Sequence, residues 1–204
     1  MMNHSNKKIR LKNNNKKSRH HWYRRILHSL GAFLIFYYLI PDAEIYEPLK
    51  LWGPIGVMIL IILFDLLRLN KKIHFPKSEI FRHYEHKRLG SYVYFGFGVL
   101  LLFLFFPEHI AVPCILCASI SDPLMGELRY YFGKNTGFLG GFMLSFLFFF
   151  IFLSITSFSV LVFTALVGAA MVVFSEHIAG FWLDDDLLIQ IIPAIIIFRL
   201  LTVI

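Results

Sequence analysis

The sequence predicts an all-α, polytopic integral membrane protein of about seven transmembrane helices with a cytoplasmic N-terminus. Three observations carry that prediction. First, 57% of the 204 residues are hydrophobic, 17% are aromatic and only 16% are charged, with a mean hydropathy of +0.66. So little polar surface does not cover a soluble globule. Second, the apolar residues fall into runs separated by short polar stretches, and a backbone in lipid satisfies its own hydrogen bonds by forming helices. Third, the net charge of +7 is concentrated at the N-terminus and in one loop. That distribution suits anchoring at a membrane surface and argues against a nucleic-acid partner.

Taken in order, residues 1–24 form a basic tail that cannot bury a core and is expected to be disordered until Trp22 and Tyr23 reach the interface. No small-residue cleavage site follows the first apolar run, so the tail is expected to stay in the mature protein as the start of a membrane domain over 25–204. The first run covers 26–40. Its start, R-R-I-L-H-S-L-G, places Arg25 and His28 three apart on one helical face, as interfacial anchors or contacts for a phosphate or head group. After an acidic loop, 49–67 makes a second span closing in F-D-L-L-R, where Asp65 and Arg68 are spaced to form a structural ion pair.

The polar segment 69–90 contains a candidate amphipathic helix over 79–89, with Arg82, Glu85 and Arg88 on one face. A third span covers 91–106, its Gly96 and Gly98 allowing close packing. The fourth apolar stretch, 110–120, is too short to cross a bilayer and contains Pro113, so it is expected to be broken or shielded by neighbours. Cys114 and Cys117 within it lack the four ligands of a structural zinc site and read as small buried residues. The residues from 122 to 136 read as a loop, 137–174 as two spans joined near 154–159, and 187–204 as the last.

On this arrangement residues 1–25, 68–90 and 122–136 share one side and hold all of the 20 Lys and Arg except Lys50 and Arg199. The positive-inside rule makes that side cytoplasmic. The 175–186 loop falls on it as well, so two charged clusters meet in one compartment. The first is S-D-P-L-M-G-E-L-R-Y-Y-F-G-K, 121–134; the second is Glu176 with Asp184, Asp185 and Asp186. Charge so near lipid is expensive and marks a polar cavity with a task.

Carboxylates beside cations and glycines suit a metal-bound nucleotide. Asp122, Glu176 and the Asp184–Asp186 run supply carboxylates, Arg129 and Lys134 supply cations, and Gly126 and Gly133 let backbone approach phosphate. Three consecutive aspartates repel one another, so at least one is expected to be paired or metal-bound. Capping of the last helix accounts for one of them.

The order R-R-I-L-H-x-x-G, D-L-L-R, R-x-x-E, S-D-P-L-M-G-E-L-R-Y-Y-F-G-K, S-E-H and D-D-D-L resembles the membrane family of CTP-dependent lipid-alcohol kinases. That family includes dolichol kinase, phytol kinase and a CTP-dependent diacylglycerol kinase, and is related to the phosphatidate cytidylyltransferases. The resemblance implies that Asp122 opens the nucleotide and metal loop, that Gly126, Gly133 and Lys134 form its later part, and that Glu176 ends the penultimate helix. Asp184 and Asp185 match the first two residues of a D-D-N-L signature, with Asp186 in place of the Asn.

The implied activity is transfer of the γ-phosphoryl group of CTP to the hydroxyl of a membrane lipid alcohol. Mg2+ would be held by Asp122, Asp184, Asp185 and Asp186. Asp122, Glu176, Asp185 and Lys134 would form the catalytic set, and Gly126, Arg129, Gly133 and Lys134 the nucleotide contacts. Arg25, His28, Asp65, Arg68, Arg82 and Glu85 would lend support. The chain departs from the family pattern after Lys134, reading N-T-G-F-L-G-G-F without the family's Lys-Ser pair and Glu, and has Leu188 and Gln190 where Thr and Pro are expected. Cytidylyl transfer to a lipid phosphate and a non-catalytic membrane role are the alternatives, and self-association into a homo-oligomer stays open.

Overall fold

The computed structural model describes residues 25–26, 28–70, 88–155, 157–178 and 184–203. Among these there is no strand. The helices are α1 (Leu30–Leu39), α2 (Glu47–Leu69), α3 (Ser91–Phe105), α4 (Glu108–Leu116), α5 (Asp122–Phe132), α6 (Lys134–Phe152), α7 (Phe158–Ile178) and α8 (Asp185–Val203). The tail over 1–24 and most of the amphipathic segment at 79–89, including Arg82 and Glu85, lie outside the described residues.

Among the described residues, five helices are long and apolar enough to cross a membrane: α2, the continuous stretch Glu108–Phe132, α6, α7 and α8. Leu30–Leu39 and Ser91–Phe105 are apolar but shorter. The expectation of seven spans is thus met in length by five helices. Helix α1 winds as a 3-10 helix. At a rise of about 2.0 Å per residue, such a helix reaches roughly a third further than an α-helix of equal length.

The clearest correction concerns 110–136. No loop begins after Ile120. Helix α4 passes through a single π turn, Cys117–Ser121, directly into α5, so Asp122 opens a helix rather than a loop. Pro113 lies inside α4, where it removes a backbone donor and crowds the preceding turn. The π turn adds a residue to the helix and swings everything beyond it by about 100°. The reading of this stretch as shielded holds, since 67% of its most apolar window is buried against 11% for α2. It packs on α1, α3, α6 and α8.

The core is formed by Leu102, Ile110, Ile115, Phe149, Ile189 and Ile197, with Ala118, Ala165 and Ala194 between them. Lipid offers no hydrophobic drive for helix association, so close approach at small residues matters most. At Gly137 a Cβ would stand 2.9 Å from the Met125 carbonyl oxygen, which brings the α5 and α6 backbones together. Cys114 and Cys117 are buried free thiols, as their apolar setting predicts. At the far end of the bundle the Tyr37 hydroxyl donates to the Lys50 carbonyl at 3.2 Å, joining α1 to α2.

Candidate functional site

Three distant segments deliver the centre of the site. His28 lies just before α1, Asp122 follows the π turn at the start of α5, and Asp186 is in the first turn of α8. One donor atom from each lies within 4.8 Å of the other two. Asp186 is 1% exposed, and among the described residues neither of its carboxylate oxygens has a hydrogen-bond donor. Its Oδ1 stands 2.8 Å from His28 Nε2, close but not aligned as a hydrogen bond. A buried carboxylate without donors is costly unless another charge meets it. Asp122 also feels the charges of Asp185, Asp186, His28 and Glu176, which makes these residues one electrostatic group.

The supports of this centre are specific. The His28 ring tilts against Phe95, 5.2 Å between centroids. Gln190 Nε2 donates to the Phe95 carbonyl at 3.2 Å and to the Asp186 carbonyl at 2.8 Å. It therefore fastens α8 to α3 at the level of the site. Gly98 makes room for it: a Cβ there would stand 2.8 Å from the Gln190 amide carbon. Gln190 thus has a structural use at this position.

Beside the centre, the carboxylates of Asp184, Asp185 and Asp186 form a second group within 4.8 Å. Asp184 caps α8: its Oδ1 accepts from the Asp186 N–H at 3.4 Å, and its carbonyl accepts from the Leu187 and Leu188 N–H groups, each at 3.3 Å. Its other oxygen takes Arg88 Nη2 at 3.2 Å. Burial, a hydrogen bond with Asp185 and the charges of Asp186 and Asp185 push the Asp184 carboxyl up to about 8.

The consequence for stability has a definite sign. Between the ordinary value and about 8, the folded chain holds a proton that the unfolded chain has released. Stability of the ion-free protein therefore falls as pH rises through that window. Thermal unfolding in EDTA at pH 5 and pH 8 is expected to show this fall, and Asp184→Asn to flatten it; an equal slope in the variant would exclude Asp184 as its source.

Two ion pairs flank the centre. Arg25 Nη1 pairs with Glu127 Oε1, and Arg129 Nη2 donates to Glu176 Oε1. Each pair keeps hydrogen-bonding capacity in reserve, because Glu127 Oε2, Glu176 Oε2 and Arg129 Nε have no partner among the described residues. Arg25 Nη2 runs 3.7 Å from where a Gly126 Cβ would be, so the glycine leaves the guanidinium room to lie over α5. Gly133 has φ +92°, a conformation that favours glycine, and it breaks the chain between α5 and α6. Lys134 is exposed, its Nζ 5.5 Å from the Phe138 ring centroid, and no ion pair joins it to the described carboxylates.

The pair predicted at Asp65 and Arg68 forms, with Arg68 Nε donating to Asp65 Oδ1 at 2.6 Å. Tyr92 Oη and the Gly90 N–H also donate to Asp65, and Arg68 Nη2 donates to the Arg88 carbonyl at 2.9 Å. This network positions the backbone from which Arg88 reaches Asp184. It was legible as a pair but not as a brace for the site.

The structure thus gathers Asp122 and Asp186 with His28, sets Asp184 and Asp185 alongside, ties Glu176 to Arg129 and leaves Lys134 apart. His28 was read as an interfacial residue because its nearest charged neighbour on the helix face is Arg25. Glu127 and Gln190 received no role, since only tertiary contacts show what they hold. Comparison of the chain with known protein families, with curated proteins and with solved structures finds no match.

Proposed function

We propose that the chain is a membrane enzyme that transfers the γ-phosphoryl group of a nucleoside triphosphate, CTP by the resemblance, to the hydroxyl of a membrane lipid alcohol. The observation that supports this most is the buried carboxylate of Asp186, without a hydrogen-bond donor among the described residues, beside Asp122 and His28, with Arg88 paired to the neighbouring Asp184 and Arg129 to Glu176. Such a donor set fits a divalent cation, which Asp122 and Asp186 would hold with Asp184 and Asp185 nearby. Bound there, Mg2+ or a similar ion neutralises phosphate charge.

The remaining chemistry belongs to side chains. Arg129, with its spare Nε, meets the charge that develops on the transferred group. Glu176 or Asp185 accepts the hydroxyl proton of the lipid. A bond forms between the lipid oxygen and the γ-phosphorus, the bond from that phosphorus to the β-bridging oxygen breaks, and nucleoside diphosphate leaves. By the positive-inside rule, a cytoplasmic site at this end of a seven-span bundle gives access to nucleotide.

The test uses purified protein in lipid with γ-labelled CTP, ATP or GTP, divalent cation, and dolichol, phytol, farnesol or diacylglycerol. Label is expected in an organic-phase product and absent with Asp122→Ala. Label from α-labelled but not γ-labelled CTP in the lipid product would replace this reading with cytidylyl transfer. No label from any combination, with folded protein, would leave a non-catalytic role.

A further inference from the structure

We infer that the cation site is built on an imidazole, with His28 Nε2 joining one oxygen each of Asp122 and Asp186, and that it selects a first-row transition-metal dication such as Zn2+ or Mn2+ over Mg2+. The inference rests on the phosphoryl-transfer reading for the site's use, although binding itself stands without it.

Two independent observations meet here. Donor atoms from His28, Asp122 and Asp186 come within 4.8 Å although they derive from three separate parts of the chain. Within that group, Asp186 is 1% exposed and both of its oxygens lack a hydrogen-bond donor among the described residues. The 2.8 Å between His28 Nε2 and Asp186 Oδ1 fits neighbouring ligands on one ion: two donors at bonds of about 2.1 Å and a right angle are about 3 Å apart. A simple imidazolium–carboxylate pair would instead align its N–H with the oxygen, and these two atoms do not align as a hydrogen bond.

The donor chemistry sets the preference. Mg2+ favours oxygen ligands and keeps most of its water, whereas imidazole suits zinc and its first-row neighbours. Three protein donors leave at least one position open for a water or phosphate oxygen, the pattern of catalytic rather than structural sites. Phe95 and the Gln190 clamp hold His28 and Asp186 to the same elements, which keeps the donor set together.

The full chain in detergent, stripped with EDTA, is to be titrated with ZnCl2, MnCl2 and MgCl2 as wild type, His28→Gln and Asp186→Asn. His4, His20 and His21 in the tail supply background Zn2+ binding, so the component read is the one that depends on His28. Wild type is expected to bind one such equivalent of Zn2+ at least about tenfold more tightly than Mg2+. His28→Gln is expected to weaken Zn2+ by about 10–100-fold and Mg2+ by less than about threefold, while Asp186→Asn weakens both.

Pulsed EPR of bound Mn2+ gives a second readout: nitrogen coupling that is present in wild type and lost in His28→Gln supports the site, and its absence in wild type overturns it. Unchanged Zn2+ affinity in folded His28→Gln overturns it as well. Lipid phosphorylation that runs on Mg2+ and is unaffected by His28→Gln would sink this inference and spare the transfer reading. His28-dependent Zn2+ binding without transfer from any nucleotide would do the reverse.

Discussion

Asp186→Asn is expected to lower lipid phosphorylation by about 10²–10³-fold and, in the same protein without divalent cation, to raise the unfolding temperature. Both effects come from one carboxylate. Asp186 is buried, accepts no hydrogen bond from the described residues, and sits among the carboxylates of Asp122, Asp184 and Asp185 with His28 Nε2 beside it. Removing its charge relieves repulsion among four carboxylates, a gain of about 1–2 kcal/mol. The same change removes a ligand that a cation needs once phosphate arrives. Activity assays beside thermal unfolding in EDTA check the pair of outcomes. A variant that is less stable yet fully active would show Asp186 to be a structural partner of His28 and nothing more.

Asp65→Ala is expected to destabilise the protein by about 3–5 kcal/mol, because it removes the buried carboxylate that pairs with the Arg68 guanidinium. Asp65 is fully buried, paired with Arg68 at 2.6 Å, and also accepts from Tyr92 and the Gly90 N–H. Replacing both partners, Asp65→Leu with Arg68→Met, is expected to cost much less, since no lone charge is then buried. Thermal unfolding of the single and double variants measures the difference. If the double variant falls as far as the single one, the hydrogen bonds to Tyr92 and Gly90 matter more than charge balance. The network also carries Arg88 to Asp184, so transfer activity is expected to drop in the double variant even where stability returns.

The sequence by itself determined the class of protein and much of its helix order. Composition and run length do this without knowledge of packing, because lipid accepts only backbones that satisfy themselves. The 3,4-spacing in F-D-L-L-R likewise disclosed the Asp65–Arg68 pair, since residues three apart on a helix are neighbours whatever surrounds them.

The stretch from Ser121 to Lys134 was legible as a polar interruption but not as a helix. Its charges made it read as a loop, and only its neighbours show that Asp122–Phe132 is helical: its charges are met by Glu176 from α7 and by Arg25. The π turn that re-aims Asp122 has no sequence signature of its own. His28, Asp122 and Asp186 become one site only when α1, α5 and α8 converge, and spacing along a chain carries no information about donors from such distant parts of it. Tertiary structure alone decided that a buried aspartate would face an imidazole, because the cost of an unpaired charge is set by what surrounds it and not by its place in the chain.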